Sequence, residues 1–162
     1  MFFYSLLFSP ACEGLFQMKV KIKKLNENAK MPTYGSAYSA GADLYACIDN
    51  DIVIEPNKTV LVKTGLAMEL SQGYVALIYA RSGLASKRGL APANKVGVVD
   101  CDYRGEIMVA LHNHSTQPQT ICKDERIAQM VITPYITADF EEADELSDTV
   151  RGEGGFGSTG RN

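Results

Sequence analysis

Short runs of alternating apolar and polar residues follow one another from Lys19 to Ile136, and they predict β-strands. In the segment that begins at Met18, lysines alternate with Val20 and Ile22, which is typical of an edge strand. Further β-rich runs cover residues 59–63, 66–70, 74–80, 106–113 and 127–133, and glycine or proline separates many of them. This rhythm predicts an all-β sandwich or barrel. Because the sequence lacks a clear apolar stripe of helical period, we expect helix only in one short piece around residues 84–88.

The two ends of the chain differ in composition from the β-rich core at residues 18–138. Residues 1–17 carry an apolar stretch with no positive charge ahead of it, so we expect an extension upstream of a natural start at Met18, not a secretory signal. Residues 139–150 are acidic and predict a solvated linker. Residues 151–162 contain five glycines and predict a flexible arm, with a disordered terminus as the alternative that this segment alone favours.

Composition and charge exclude several classes of function. The chain has 162 residues, 46% hydrophobic and 22% charged, which suits one domain with a buried core. Its net charge of −3 argues against duplex nucleic acid as a partner. It has no run of about 18 apolar residues, which argues against a membrane span. The four cysteines form no CxxC pair and are too few for a secreted disulfide scaffold, so we expect a cytoplasmic protein.

Arg81, Ser82 and Gly83 follow a predicted strand at a point where glycine permits a sharp turn. Backbone N–H groups in such a turn, together with a hydroxyl and a guanidinium group, suit the binding of a phosphate. A strand that ends in a capped helical turn explains the same residues equally well.

Asp100 and Asp102 lie two residues apart between apolar runs, and residues 97–107 predict a hairpin with these carboxylates near its tip. Asp100 follows two valines, so we expect it to be partly buried, in a setting where a carboxylate acts as a general base toward water. The alternative, which the spacing alone favours, is a turn aspartate that bonds to its own backbone.

Two further features have open interpretations. His112 and His114 lie on the same side of a predicted strand, where they are metal ligands or, as we favour, surface or interface histidines. The glycine-rich C-terminal segment lacks the lysine of a P-loop, so it does not predict P-loop chemistry. A flexible arm of this kind is suited to fold over a ligand.

Five segments together resemble the five motifs of the trimeric dUTPase family, in the family's order: residues 40–46, 81–85, 97–106, 126–129 and 151–160. The resemblance implies a jelly-roll-like β fold and a homotrimer with active sites between subunits. It implies Mg²⁺ as cofactor and hydrolysis of dUTP to dUMP and pyrophosphate. That reaction keeps uracil out of DNA and supplies dUMP for dTMP synthesis.

The resemblance also assigns roles to individual residues. Asp100 would activate the attacking water, and Tyr103 would pack under the deoxyribose. Asn94 and the backbone near Gly97 would bind the uracil edge. Asp43 would reach Mg²⁺ through water, with the ion otherwise held by the substrate phosphates.

The remaining substrate-binding residues lie in the second to fifth motifs. Phosphate oxygens would be held by Arg81, Ser82 and Gln129. The fifth motif would close over the substrate, with Phe156 on the base and the outer phosphates held by Arg151, Ser158 and Thr159. Gly83, Val99 and Gly157 complete the substrate-binding set.

One position departs from the family's pattern. Asp124 stands where a glycine usually precedes an acidic residue, here Glu125, and the arginine of the fourth motif, Arg126. We expect a local adjustment of this turn, because Arg126 and Gln129 stay in register.

Two rival functions follow from the same sequence. A dCTP deaminase shares the fold, but this chain has Ala110 where that family places a catalytic glutamate. A non-catalytic β-sandwich that binds nucleotides or protein partners is the rival from a different class.

Overall fold

The alternating segments form strands in the computed structural model, which describes residues 18–155. Residues 1–17 and 156–162, with the predictions that fall on them, lie outside the described residues. The described part has one helix, α1 (Ser82–Arg88), and twelve strands: β1 (Lys21–Lys24), β2 (Thr33–Tyr34), β3 (Ala42–Tyr45), β4 (Ile52–Ile54), β5 (Thr59–Lys63), β6 (Leu66–Glu69), β7 (Tyr74–Tyr79), β8 (Leu90–Pro92), β9 (Gly97–Val99), β10 (Met108–Asn113), β11 (Gln119–Ile121) and β12 (Arg126–Pro134).

The strands form four sheets in the described part of the chain, with orders β1-β6, β5-β10-β8, β11-β4 and β2-β3-β12-β7-β9. Every strand pair is antiparallel. Only β2 and β3 are both paired and consecutive in the chain, so most pairs join distant segments. The predicted all-β, jelly-roll-like architecture is confirmed, and within residues 18–155 the one short helix that we expected is present.

The chain changes sheet at Thr64 and Gly65, because β5 pairs with β10 whereas β6 pairs with β1. Gly65 has a φ of +68°, and a Cβ atom there would lie 2.8 Å from the Cβ of Ala29, so glycine is required at this corner. The buried Thr64 hydroxyl donates a hydrogen bond to the Ile107 carbonyl, at 2.6 Å, which joins the corner to the segment before β10.

Inward-facing side chains of these sheets form one apolar core, which includes Leu44, Ile54, Val62, Leu111 and Ile127. Asn113 is fully buried among them, and all of its amide groups are paired. Its Nδ2 atom donates to the carbonyls of Ile54 and Gln117, both at 2.8 Å, and its Oδ1 atom accepts from Ser115. A buried amide with every bond made joins β10 to β4 without an unpaired polar atom.

The predicted hairpin over residues 97–107 is wrong. β9 pairs with β7, and β10 pairs with β5 and β8, so the two strands belong to different sheets. Residues 100–107 connect these sheets through a turn in which the Tyr103 N–H donates to the Asp100 carbonyl at 3.2 Å. The alternation of apolar residues marks both strands, but it carries no information on their partners.

Residues 137–150 contain no helix or strand, and their side chains are exposed. Within residues 18–155, α1 is far too short to cross a bilayer, and no membrane-spanning helix is found.

Candidate active site

Helix α1 begins directly after β7 and carries predicted phosphate-binding residues at its start. Arg81 has extended backbone angles, with φ −83° and ψ 129°, and the helix runs on from Ser82. The helical turn of the alternative interpretation is present, but no side chain caps it. The first-turn N–H groups at the exposed Ser82 and Gly83 therefore have no partner within the helix.

An open cleft of about 590 Å³ lies beside the start of α1. Its walls come from three separate parts of the chain, within residues 35–43, 81–83 and 126–131. Five of the predicted site residues meet here, namely Asp43, Arg81, Ser82, Gly83 and Gln129. The fold thus brings together the first, second and fourth of the sequence segments.

The Asp43 carboxylate joins two guanidinium groups in this cleft. The Nε atom of Arg81 donates to Oδ1 at 2.8 Å, and Nη1 of Arg126 donates to Oδ2 at 3.1 Å. The Asp43 side chain is 12% exposed, whereas those of Arg81 and Arg126 are 26% and 50% exposed. Two cations and one anion leave a net positive charge, so this cleft favours anions although the whole chain is acidic.

A shift in strand register turns Arg126 toward the cleft. Gln129 pairs with Asp43 and Ala128 with Leu44, but Arg126 pairs with Tyr45, so β12 has one extra residue at Ile127. Consequently Ile127 and Ala128 are both buried, and Arg126 shares the cleft side with Gln129. Regular alternation would have placed Arg126 on the opposite face, as expected for a β-bulge that redirects a side chain.

The Gln129 side chain is fixed next to Arg81. Its Nε2 atom donates to the Ala80 carbonyl at 2.9 Å. A Cβ atom at residue 41 would lie 2.7 Å from the Gln129 Oε1 atom, so Gly41 allows the loop before β3 to pass close to this amide.

Asp100 follows β9 and lines a second cleft of about 600 Å³, together with Cys101, Asp102, Arg104 and Tyr135. It is exposed, so the predicted partial burial is wrong for the single chain. β9 is an edge strand whose Val98 is 63% exposed, and its end is therefore left uncovered by the rest of this chain. The two clefts share no lining residue.

Asn94 and Gly97 are neighbours, as their predicted joint role requires. A Cβ atom at residue 97 would lie 3.4 Å from Asn94 Nδ2 and 3.1 Å from the Ile78 Cβ, so the amide lies against bare backbone. Val99 pairs with Ala76 in the next strand. The contacts of Asn94, Gly97 and Val99 with a base stay a prediction.

Tyr103 folds back on its own loop. Its hydroxyl donates to the Glu106 carbonyl at 3.1 Å, and its ring lies over Gly105, where a Cβ atom would clash with it. The side chain is held in one place while the residue remains 44% exposed. Part of the Tyr103 side chain is therefore exposed to solvent.

The family model for dUTPase matches residues 27–160 of this chain. The chain belongs to the dUTPase family. The deoxyuridine 5'-triphosphate nucleotidohydrolase of Nautilia profundicola is 51% identical over 144 residues, which cover 89% of this chain and 100% of the relative.

Solved dUTPase structures have the same fold. The Staphylococcus bacteriophage 80alpha dUTPase with dUPNHPP is similar with a TM-score of 0.77 and 29% identity, over 89% of this chain and 99% of that chain. A variant dUTPase from phage phi11 of S. aureus, described for its coordination of a structural Mg(II) ion, has a TM-score of 0.73 and 24% identity. It covers 81% of this chain and 100% of its own, and supports the fold alone.

The dUTPase position at which Asp124 replaces glycine has a left-handed backbone. Asp124 has a φ of +64°, and its N–H donates to the Ala46 carbonyl at 3.0 Å. Aspartate tolerates this conformation better than most residues, so the turn is kept without glycine. As expected, Arg126 and Gln129 remain in β12 and in the cleft. A local adjustment relative to a turn with glycine stays a prediction.

The start of the fifth dUTPase motif is described only to residue 155. There the Arg151 Nε atom donates to the Gly154 carbonyl at 2.6 Å, within its own turn. Phe156, Gly157, Ser158 and Thr159 lie outside the described residues, so their roles stay predictions.

The histidine pair lies away from both clefts. The rings of His112 and His114 are 4.3 Å apart, and His112 Nδ1 is 2.9 Å from the Thr59 hydroxyl. Burial of the His114 ring, with the nearby His112, lowers the pKa of His114. No cluster of three or more metal-ligating side chains occurs within residues 18–155.

A tyrosine shares the second cleft with Asp100. The Cys101 thiol lies 3.9 Å from the Tyr135 hydroxyl. This hydrogen bond, and then the charge of the thiolate, raises the pKa of Tyr135.

Arg126 has a place in the fourth motif but no site role among the sequence-based predictions. Its signal is its place directly after a turn at the start of a strand, but the register shift that directs it to the cleft is set by packing. The two bonds of Asp43 to arginines also depend on tertiary packing, so they could not be predicted from the sequence.

Proposed function

We propose that this chain hydrolyses dUTP to dUMP and pyrophosphate. The single observation that carries the proposal is the pairing of Asp43 with Arg81 and Arg126 in a cleft beside α1, in a chain of the dUTPase family. An acidic protein needs such a local positive site to bind a triphosphate.

The triphosphate binds in the first cleft. Arg81 and the exposed start of α1 at Ser82 and Gly83 hold phosphate oxygens, and the fixed amide of Gln129 supplies a further polar contact. Charged donors held in advance stabilise the charge that develops in phosphoryl transfer. Arg151, Ser158 and Thr159 of the C-terminal segment bind the outer phosphates, and Gly157 lies in the same segment.

The nucleoside binds where Asn94 lies against the bare backbone of Gly97. The Asn94 amide and the backbone at Gly97 and Val99 bind the uracil edge, so that cytosine leaves donors and acceptors unpaired. The Tyr103 ring packs under the deoxyribose and excludes a 2′-hydroxyl, and Phe156 covers the base.

Asp100 is the general base. It takes a proton from a water molecule, whose oxygen attacks the α-phosphorus while the bond to the bridging oxygen breaks and pyrophosphate leaves. Its exposed position in an open cleft leaves the carboxylate free to meet a water molecule and a phosphate. The proton is released to solvent as the products depart.

A Mg²⁺ ion fits this arrangement as an ion carried by the triphosphate. Both Asp43 oxygens accept from guanidinium groups, so Asp43 is suited to contact a metal through water and not directly. When bound, the ion neutralises phosphate charge.

The working enzyme is a homotrimer with sites between subunits. The phosphate cleft and the Asp100 cleft share no lining residue in one chain, which is consistent with a site that takes its base from a second copy. Exposed apolar residues on sheet faces, such as Leu61 and Val98, provide surface for such contacts.

We place this activity in the cytoplasm, where it keeps uracil out of DNA and supplies dUMP for dTMP synthesis. The free cysteines Cys47, Cys101 and Cys122 suit a reducing compartment.

A pyrophosphate-release assay across the deoxynucleoside triphosphates, with and without Mg²⁺, tests the proposal. We expect release from dUTP that depends on Mg²⁺ and far exceeds release from dCTP or dTTP. Ammonia released from dCTP would support a deaminase, and binding of dUTP without turnover would support the non-catalytic alternative.

A further inference from the structure

Arg88, the last residue of α1, bonds to three groups outside its helix. Its Nε atom donates to Gln119 Oε1 at 3.1 Å, Nη1 donates to Glu125 Oε1, and Nη2 donates to the Thr120 carbonyl. Three different nitrogens of one planar group are used, which fixes the guanidinium in orientation as well as in position. The end of α1 is thereby tied to β11 and to the turn before β12.

The other end of α1 is tied to Arg126, which follows that turn and begins β12. Arg81 bonds to Asp43, which bonds to Arg126, and Arg126 follows Glu125 in the chain. Glu125 is itself held, because its Oε2 atom accepts from the Cys122 N–H at 3.0 Å. The two ends of the helix are therefore linked by hydrogen bonds to two adjacent residues, Glu125 at the end of α1 and Arg126, through Asp43, at its start.

One buried side chain packs this helix into the apolar core. Leu84 is the only buried residue among the seven of α1. A helix of this length is unstable by itself, so its position depends on its contacts. The bonds of Arg88 are therefore a main determinant of where the helix lies.

We propose that Arg88 is a positioning residue for the phosphate cleft. It does not line the cleft, and it acts through Glu125 and α1 to set the distance from Ser82 and Gly83 to Arg126 and Gln129. The proposal rests on the proposed function for the identity of the bound triphosphate. It adds a residue that the family motifs do not assign.

The test compares Arg88→Met with Lys30→Met. The first variant keeps an apolar stem but removes all three bonds. The control, Lys30→Met, removes an ion pair in which Lys30 Nζ lies 3.1 Å from an Asp124 oxygen in the same turn. Lys30 makes no bond to α1. The measurements are kcat and KM for dUTP, inhibition by deoxyuridine, and calorimetric titration with inorganic tripolyphosphate.

We expect Arg88→Met to raise both KM for dUTP and Kd for tripolyphosphate at least fivefold, while inhibition by deoxyuridine changes less than twofold. A purely structural role would weaken all ligands together. Arg88→Lys keeps a charge near Glu125 but cannot form the three bonds, so we expect an intermediate KM. Glu125→Gln should raise KM as well, and the double variant should add little to either single change.

The proposal is overturned if Arg88→Met matches Lys30→Met in KM and tripolyphosphate affinity, or if deoxyuridine inhibition weakens in parallel. Its failure is distinct from failure of the proposed function. If the unmodified chain released no pyrophosphate from dUTP, the proposed function would fall, while tripolyphosphate binding would still report on Arg88.

Discussion

Arg126 and Asp43 lie on neighbouring strands, and a one-residue shift in their pairing brings Arg126 Nη1 to 3.1 Å from Asp43 Oδ2. The same carboxylate bonds to Arg81, which precedes α1. One acidic side chain therefore orients two cations from distant parts of the chain. The cleft depends on this carboxylate for its shape as well as for its charge balance.

Replacement of Asp43 by Asn should lower the free energy of unfolding by about 1–3 kcal/mol, because the amide offers one acceptor where two guanidinium groups need one each. Pyrophosphate release should also fall at least tenfold, since both arginines lose their orientation. Urea denaturation and the release assay measure the two effects. Glu69→Gln is the control, because it removes an ion pair with Lys21 that is exposed to solvent and contributes little to stability. Equal losses in the two variants would contradict the role of Asp43.

Replacement of Asp100 by Asn should reduce turnover of dUTP by about 10²–10⁴-fold, which is the usual contribution of a general base. Affinity for a non-hydrolysable triphosphate analogue should stay within threefold, because the carboxylate does not hold phosphates. Single-turnover kinetics and calorimetry separate the two quantities. Asp49→Asn removes an exposed carboxylate that lines neither cleft and should leave turnover unchanged. Near-normal turnover in the Asp100 variant would refute its assigned role.

Two inactive variants should restore activity to each other when their subunits are mixed. Asp100→Asn leaves the phosphate cleft intact, and Arg81→Gln leaves Asp100 intact. If each site takes these residues from different subunits, random reassembly of equal amounts gives about one intact site in four. The activity of mixed and unmixed samples, with mass from light scattering, checks this. No recovery in a mixed trimer would place both residues in one subunit's site.

Substitutions at Asp124, which has a left-handed backbone, should change the free energy of unfolding differently for glycine and for a branched residue. Asp124→Val should lower the free energy of unfolding by about 1–2 kcal/mol, because a branched side chain is strained at positive φ. Asp124→Gly should be close to neutral, since relief of strain offsets the greater freedom of the unfolded chain. Thermal denaturation of both variants, with Lys30→Met to account for the ion pair, measures this. Equal effects of Val and Gly would argue against backbone strain.

Cys122 should react slowly with iodoacetamide although it is exposed. Its thiol lies 3.4 Å from an Asp51 oxygen, and this hydrogen bond raises the pKa of Cys122, so the reactive thiolate is scarce at pH 8. Asp51→Asn should lower the pKa and speed the reaction several-fold. Peptide mass spectrometry measures each site separately. The rate at Cys47, where burial is the main cause of its raised pKa, should not change.

Strands could be predicted from the sequence where alternation is regular. The runs at residues 59–63 and 74–80 match β5 and β7 to within one residue, because side chains on a half-buried strand repeat every two positions. Partners could not be predicted, since alternation is silent about which strands meet. That is why residues 97–107 were wrongly expected to form a hairpin.

The site was predictable to a similar extent. Spacing identified the segment at Arg81, and the resemblance added Asp43 and Gln129, which the structure brings into one cleft. The exposure of Asp100 was not predictable, because two preceding valines also occur on an edge strand with an open face. The direction of Arg126 depends on a bulge, which leaves no mark on composition.

The position of β12 also dictates an order of events during synthesis. β12 lies between β3 and β7 in the five-stranded sheet, yet it is the last strand along the described chain. The chain through residue 134 must therefore leave the ribosome before that sheet is joined, so the sheet is completed only after β12 has emerged. Chains that stop before residue 126 would keep β3 and β7 apart with their edges unpaired, exposed to aggregation.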